Sequence, residues 1–201
     1  DSIAGPSEVV IIADESTRPD FVAADLLAQA EHSPGASLLI TWQREWIDAI
    51  ESELTRQLSR LSRRQLTLES LLAFGAMILV RDRDHAIELT DWIAPEHLHL
   101  ACIRPREMSE KIRNAGATFL GPFSPVALGD YAAGPSHVLP TGGTARFASG
   151  LSSNSFLRSS SVIEFSSTAL KEIAPEIAML ADMEGLTAHR SSVDIRIGTI
   201  Q

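Results

Sequence analysis

Apolar and polar positions follow two rhythms along the chain. Short β-branched or aliphatic runs recur at residues 9–13, 38–41, 76–80, 98–103 and 118–121, and each reads as a buried strand. Between these runs, apolar residues fall three and four apart, which is the helical period. Residues 20–31 predict a helix with Pro19 at its first turn and with Phe21, Ala24, Leu27 and Ala28 on one apolar face. Gln29 and His32 project from its C-terminal end, and Pro34-Gly35 stops it. Residues 43–63 predict a long amphipathic helix whose stripe is Ile47, Ile50, Leu54, Leu58 and Leu61. Further helices are expected at 67–74, 82–93 and 105–115. Strands alternating with helices imply an α/β fold, with a mainly parallel sheet flanked by helices, Rossmann-like but incomplete.

After Gly121 the rhythm changes. Residues 122–161 are rich in glycine, proline and serine, and the loop 128–143 carries Asp130 and His137 among them. Residues 161–166 predict a strand returning to the sheet. Residues 168–184 predict a helix, kinked or divided by Pro175 and ended by Gly185. In the tail, alternating Val193, Ile195 and Ile197 predict one more strand, which would make a small C-terminal α+β element. The expected division is an α/β domain over 1–121, a site loop returning to the sheet over 122–166, and a tail over 167–201. That tail is too short for a core of its own and is expected to dock on a partner subunit.

Composition narrows the function. The chain has 201 residues, 44% apolar and 21% charged, as in ordinary globular proteins. Its net charge of −9 argues against a nucleic-acid surface, which needs clustered lysine and arginine. Arg56, Arg60, Arg63 and Arg64 read as the polar side and end of a helix. No apolar run has the length of a membrane span, and no signal sequence is visible. One cysteine, Cys102, excludes a disulfide within the chain and fits a reducing, cytoplasmic setting. The chain starts at Asp1, without Met, and enters a strand within a few residues. It reads as an excerpt of something longer or a processed product.

Six histidines are available for chemistry. His85 falls on the exposed side of a charged helix, and His99 inside a strand, where packing is the simpler account. His32, His97, His137 and His189 lie at element ends or loops, where α/β proteins build sites. Glu96-His97 supplies a carboxylate and an imidazole, a general base and a general acid, or else a capping Glu beside a packed His. Gln29, His32, Asp130 and His189 form a scattered nitrogen and oxygen donor set of a kind that binds zinc. No HExxH, CxxC, GxSxG or GxGxxG occurs.

Six motifs, taken together and in order, resemble the histidinol dehydrogenase family. They are Gly5-Pro-Ser-Glu8, Gln29-Ala-Glu-His32, Ala94-Pro-Glu-His-Leu98, Gly129-Asp-Tyr131, Gly134-Pro-Ser-His-Val-Leu-Pro-Thr141 and Glu184-Gly-Leu-Thr-Ala-His189. The resemblance implies NAD-dependent, two-step oxidation of L-histidinol to L-histidine through histidinaldehyde. It implies zinc held by Gln29, His32, Asp130 and His189, with the metal orienting the substrate. It makes Glu96 the base that activates water and His97 the proton acceptor, with Ser7, His137 and Glu184 contacting substrate. It implies a homodimer in which Glu184 and His189 serve the other subunit's site. The family's chain is roughly twice this length by domain-size reasoning, this chain resembles its second half, and much of the NAD contact belongs to the first. Two other readings stay open: a non-catalytic zinc- or small-ligand-binding relative, and a zinc hydrolase using Glu96 to activate water.

Overall fold

β1 (Ser7–Ala13) is the spine of the sheet because its Val9-Val-Ile-Ile12 run offers apolar side chains to both faces. In the computed structural model, which describes residues 5–198, Val9, Val10, Ile11, Ile12 and Ala13 are all fully buried. Alternate residues feed two separate cores. Val9 and Ile11 pack with Leu26, Leu27, Leu39 and Ile50 on one face, and Val10 and Ile12 with Ile40, Ile87, Leu98 and Met108 on the other. Burial of each such side chain is worth about 1.5–3 kcal/mol, so a polar residue at any of these positions would break the sheet.

Helix α1 (Pro19–Ala30), strand β2 (Gly35–Thr41), helices α2 (Arg44–Leu58) and α3 (Arg64–Phe74), and strand β3 (Gly75–Leu79) follow. Helix α4 (Arg83–Ile93) then crosses to β4 (His97–Ala101), and α5 (Pro105–Ser109) to β5 (Ala117–Leu120). The strand order is β3-β2-β1-β4-β5 and every pairing is parallel. The direction of winding therefore reverses between β1 and β4, as in doubly wound sheets.

Several elements differ from expectation. The buried face of α1 is Val22, Ala23, Leu26, Leu27 and Ala30, while Ala24 and Ala28 are exposed. The helix expected over 43–63 is shorter, with α2 ending at Leu58 and Leu61 packing from the connection, while the helix expected at 67–74 is α3 and starts earlier, at Arg64. Helix α5 stops at Ser109, well short of residue 115.

The chain divides into two units, one ending at Phe156 and the other starting at Leu157. The first closes with the short helix α6 (Ala127–Tyr131) and an irregular stretch that includes two single-turn 3₁₀ segments. In the second, residues 161–166 form no strand; Val162 is 95% and Ile163 79% exposed, and no strand pairs with them. Helix α7 (Ser167–Met183) is capped by Ser166, whose Oγ accepts from the Ala169 amide at 3.1 Å, and it carries Pro175 inside. After a left-handed turn at Gly185, φ 71°, comes α8 (Thr187–Gly198). The tail is thus helical, and the strand expected from Val193, Ile195 and Ile197 is part of α8. No helix among the described residues is long and apolar enough to cross a membrane.

Candidate active site

The candidate residues of the first unit gather at the N-terminal edge of the sheet. Helix α1 runs back antiparallel to the strands, so its last turn delivers Gln29, then His32, beside the first residues of β1 and β2. There Ser7 pairs in register with Gly35. Glu96 immediately precedes β4 and His97 opens it. Doubly wound sheets ordinarily use the opposite edge, outside the carboxyl ends of the strands.

Two cavities lie here. The first, about 400 Å³, is lined by Gln29, His32 and Asp130, with Asp25 and Arg63. The second, about 660 Å³, is lined by His97 and His137, with Phe119 and Gly129. Helix α6 contributes to both: Ala127 and Asp130 to the first, Leu128 and Gly129 to the second. Glycine at 129 is a packing requirement, since a Cβ there would lie 2.7 Å from Phe119 Cζ. Phe119 in turn packs against the His97 ring at a centroid distance of 6.1 Å.

A hydrogen-bonded series connects the cavities. Gln29 Nε2 donates to Ser7 Oγ at 2.9 Å, and Ser7 Oγ donates to Glu96 Oε2 at 2.7 Å. The same Oε2 accepts from the Glu8 amide at 3.2 Å and lies 3.5 Å from His97 Nδ1. Among the described residues, Oε1 of Glu96 receives no bond, which leaves it as the oxygen available to a ligand or water. His97 Nδ1 also faces the Glu8 carbonyl at 3.3 Å. Both neighbours of Nδ1 are acceptors, so the tautomer they select carries its proton there and leaves Nε2 as the basic nitrogen. Glu96 and His97 are 6% and 4% exposed, so this pair is shielded from bulk water.

Glu8 was not singled out by sequence reasoning, although it stands in the Gly5-Pro-Ser-Glu8 motif. Its carboxylate accepts from the Glu96 amide at 3.0 Å and the Gly142 amide at 2.9 Å. Burial pushes its pKa above the ordinary carboxylate value; the amide donors oppose this and the Glu96 charge adds to it. Asp25, another omission, lies one turn before Gln29 on α1. His99, which sequence reasoning left to packing, is 1% exposed, with Nε2 at 2.9 Å from the Gly121 carbonyl and Nδ1 at 2.9 Å from Asp25 Oδ2. The Asp25 approach is within ion-pair range but poorly aligned for a hydrogen bond, so its effect is electrostatic. A histidine one position off the apolar alternation, opposite a helical Asp, is the signal that could have found it. His85 is half-buried, and its Nδ1 accepts from the Arg81 amide at 3.4 Å.

Gln29, His32 and Asp130 share one cavity; Ser7 and Glu96 share a hydrogen bond, and His97 joins them through Glu8, whose amide donates to Glu96 and whose carbonyl faces His97 Nδ1. His137 joins His97 in the second cavity, itself exposed. Glu184 caps the C-terminus of α7 and His189 sits in the first turn of α8, both exposed. Among the described residues, no group of three or more His, Cys, Asp and Glu side chains is placed to hold a metal ion. The first cavity still offers an imidazole and a carboxylate. Gln29 adds its amide oxygen, because its amide nitrogen is committed to Ser7. That donor set suits zinc, with room for a further ligand.

These observations define a doubly wound α/β protein with a shielded carboxylate–imidazole pair at the N-terminal edge of its sheet. The family model described as Histidinol dehydrogenase matches residues 1–197. The chain is 59% identical over 196 residues to a histidinol dehydrogenase of Rhodopirellula baltica, covering 98% of this chain and 43% of that one. It is 47% identical over 197 residues to that of Clostridium acetobutylicum, covering 98% and 46%. It superposes on the crystal structure of histidinol dehydrogenase from Elizabethkingia anophelis with a TM-score of 0.90 at 37% identity, covering 100% of this chain and 46% of that one. The chain belongs to the histidinol dehydrogenase family, and it spans somewhat under half the length of the relatives it matches.

Proposed function

We propose that this chain is the metal- and substrate-holding part of an NAD-dependent histidinol dehydrogenase, oxidising L-histidinol to L-histidine through histidinaldehyde. The observation that carries this reading is the hydrogen-bonded series Gln29–Ser7–Glu96, with His97 Nδ1 3.5 Å from the same Glu96 oxygen, which ties a cavity with metal-type donors to a shielded acid/base pair. Gln29, His32 and Asp130 would hold zinc, with His189 joining them across a homodimer as the family resemblance implies. Zinc bound there supplies a fixed point for the substrate's imidazole and amino nitrogens. His97, with Nδ1 anchored, takes the hydroxyl proton at Nε2 as the alcohol is oxidised. Glu96, with Oε2 held by Ser7 and Glu8, uses Oε1 to take a proton from the water that adds to the aldehyde, while His97 returns its proton to the aldehyde oxygen to give the hydrate. His97 then accepts the proton of the hydrate in the second oxidation. His137 and Glu184 complete the substrate contacts.

Two molecules of NAD, one for each oxidation, would supply the hydride acceptors of the overall reaction. The turn between β1 and α1 at the sheet's switch point, Asp14-Glu-Ser-Thr-Arg18, contains no glycine. It does not fit a dinucleotide pyrophosphate in the usual way. By the family resemblance, much of the NAD contact belongs to the part of the family's length beyond this chain. That same turn is what favours the second reading, a zinc- and imidazole-binding relative without redox chemistry.

One experiment separates them. Zinc content and histidinol binding are measured on this chain and on His32→Ala, and NADH formation is followed with and without the rest of the family's chain supplied. The dehydrogenase reading expects near-stoichiometric zinc that His32→Ala loses, and NADH only when the missing part is present. Zinc and ligand binding with no NADH from the recombined protein would establish the second reading instead.

A further inference from the structure

Glu8 directs most of its polar atoms at the acid/base pair or at the glycine turn that closes the 128–143 loop. Its amide donates to Glu96 Oε2 at 3.2 Å, and its carbonyl lies 3.3 Å from His97 Nδ1. Its carboxylate answers in the other direction. Oε1 accepts from the Glu96 amide at 3.0 Å and from the Gly142 amide at 2.9 Å, and Oε2 lies 3.2 Å from that same Gly142 amide. Gly142 and Gly143 are both left-handed, with φ of 59° and 77°. Side chains with a Cβ rarely adopt that backbone, so this turn of main-chain N–H groups toward an anion depends on glycine. One residue before, Thr141 Oγ1 accepts from the Gly5 amide at 2.6 Å. The start of β1, the start of β4 and the end of the loop thus meet on one side chain. Among the described residues no lysine or arginine pairs with the Glu8 carboxylate. The protein donors to this half-buried anion are main-chain amides of Glu96 and Gly142.

We propose that Glu8 is a positioning residue that locks the Glu96–His97 pair to the Gly142–Gly143 turn. The acid/base pair and the loop bearing Asp130 and His137 are thereby held in one register. The catalytic consequence rests on the dehydrogenase reading; the lock itself does not. Ser7 and Glu8 point to opposite sides of β1, as successive strand residues must. Ser7 fixes the Glu96 side chain, and Glu8 fixes the Glu96 main chain. A carboxylate aimed from both ends cannot swing away from the position where it meets water, and misplacement of a catalytic group by about 1 Å can cost about a hundredfold in rate.

The test uses Glu8→Ala, Glu8→Asp and Glu8→Gln. The aspartate keeps the charge but is one methylene too short to span both amides. The glutamine keeps one oxygen where Oε1 now accepts both of the shorter bonds. Amide hydrogen exchange across residues 137–143 is read on this chain. Exchange at Gly142 is expected to rise at least about tenfold in the alanine and aspartate variants and to stay near wild type in the glutamine variant. Turnover of histidinol and NAD is read with the complementary part of the enzyme supplied. There kcat is expected to fall about 10–100-fold in the alanine and aspartate variants, with KM within about threefold, zinc content unchanged, and the glutamine variant largely restored. Unchanged exchange at Gly142 in Glu8→Asp, or a lowered melting temperature with kcat intact, would overturn the proposal. If the alanine variant does not fold, the aspartate and glutamine pair decides. If the wild type shows no turnover, the dehydrogenase reading has failed, and the exchange measurement still decides the lock.

Discussion

Ser7→Ala is the most direct challenge to the bonded series. The substitution deletes one oxygen and leaves the β1 pairing intact. Two interactions go with it: the 2.7 Å bond to Glu96 Oε2 and the 2.9 Å bond from Gln29 Nε2. The first is a hydrogen bond to a charged group, worth about 1.5–3 kcal/mol net, and the second leaves an amide donor unsatisfied at about 1–3 kcal/mol. Gln29 is only 4% exposed, so its amide cannot simply turn to bulk solvent. Ser7 itself is half-buried beside a cavity, where water can replace part of the loss. The lower ends of both ranges therefore apply, and their sum is about 2.5 kcal/mol of folding stability, close to a 70-fold change in the folding constant. The assay is urea unfolding of the wild type, Ser7→Ala, Glu96→Gln and the double variant. The Ser7–Glu96 coupling in this cycle is expected at about 1–2 kcal/mol. Coupling below about 0.5 kcal/mol would refute the series as an energetic unit, because the bond would then add nothing that water does not supply.

Two further perturbations probe the surroundings. Gly116→Ala would put a Cβ 2.6 Å from the Glu96 carbonyl and 3.2 Å from Pro140 Cδ. The backbone must move, so a stability loss of about 2–3 kcal/mol and weakened ligand binding at the Glu96 site are expected; calorimetry and a histidinol titration check both. Burial pushes the Cys102 thiol up to about 12. At pH 8 roughly one native thiol in ten thousand is ionised, against about one in ten unfolded, so alkylation should run about a thousandfold slower in the native chain than in urea. A raised thiol value favours the folded state below the unfolded pKa of 9.0, and that contribution is lost as the pH climbs from there toward 12.

The sheet was legible because β-branched runs such as Val9-Val-Ile-Ile12 have few other places to go, and all five of its strands lie where such runs predict them. Strand order was not legible, since nothing local says that α4 carries the chain across β1. The strand expected over 161–166 was misread from apolar residues that cover nothing in this unit; Phe165 is 55% exposed. The tail was misread because Val193, Ile195 and Ile197 satisfy a period of two while their polar neighbours satisfy a helix equally well. The site residues could be named from their motifs, but the bonds between them could not. Ser7 and Glu96 are 89 positions apart in the chain, and Glu8 and Gly142 134. No local pattern encodes such a meeting.

Those separations bear on synthesis as well. The ribosome delivers β1 and its neighbours before the loop, and the parallel sheet can close once β5 has emerged. The Glu8 carboxylate then waits for an amide that belongs to Gly142, and the Gly5 amide waits for Thr141. A nascent chain halted between Val126 and that turn would hold a closed sheet and an unfinished pocket, with a half-buried anion short of one of its donors. The locking of the acid/base pair thus dates to the passage of a single pair of glycines.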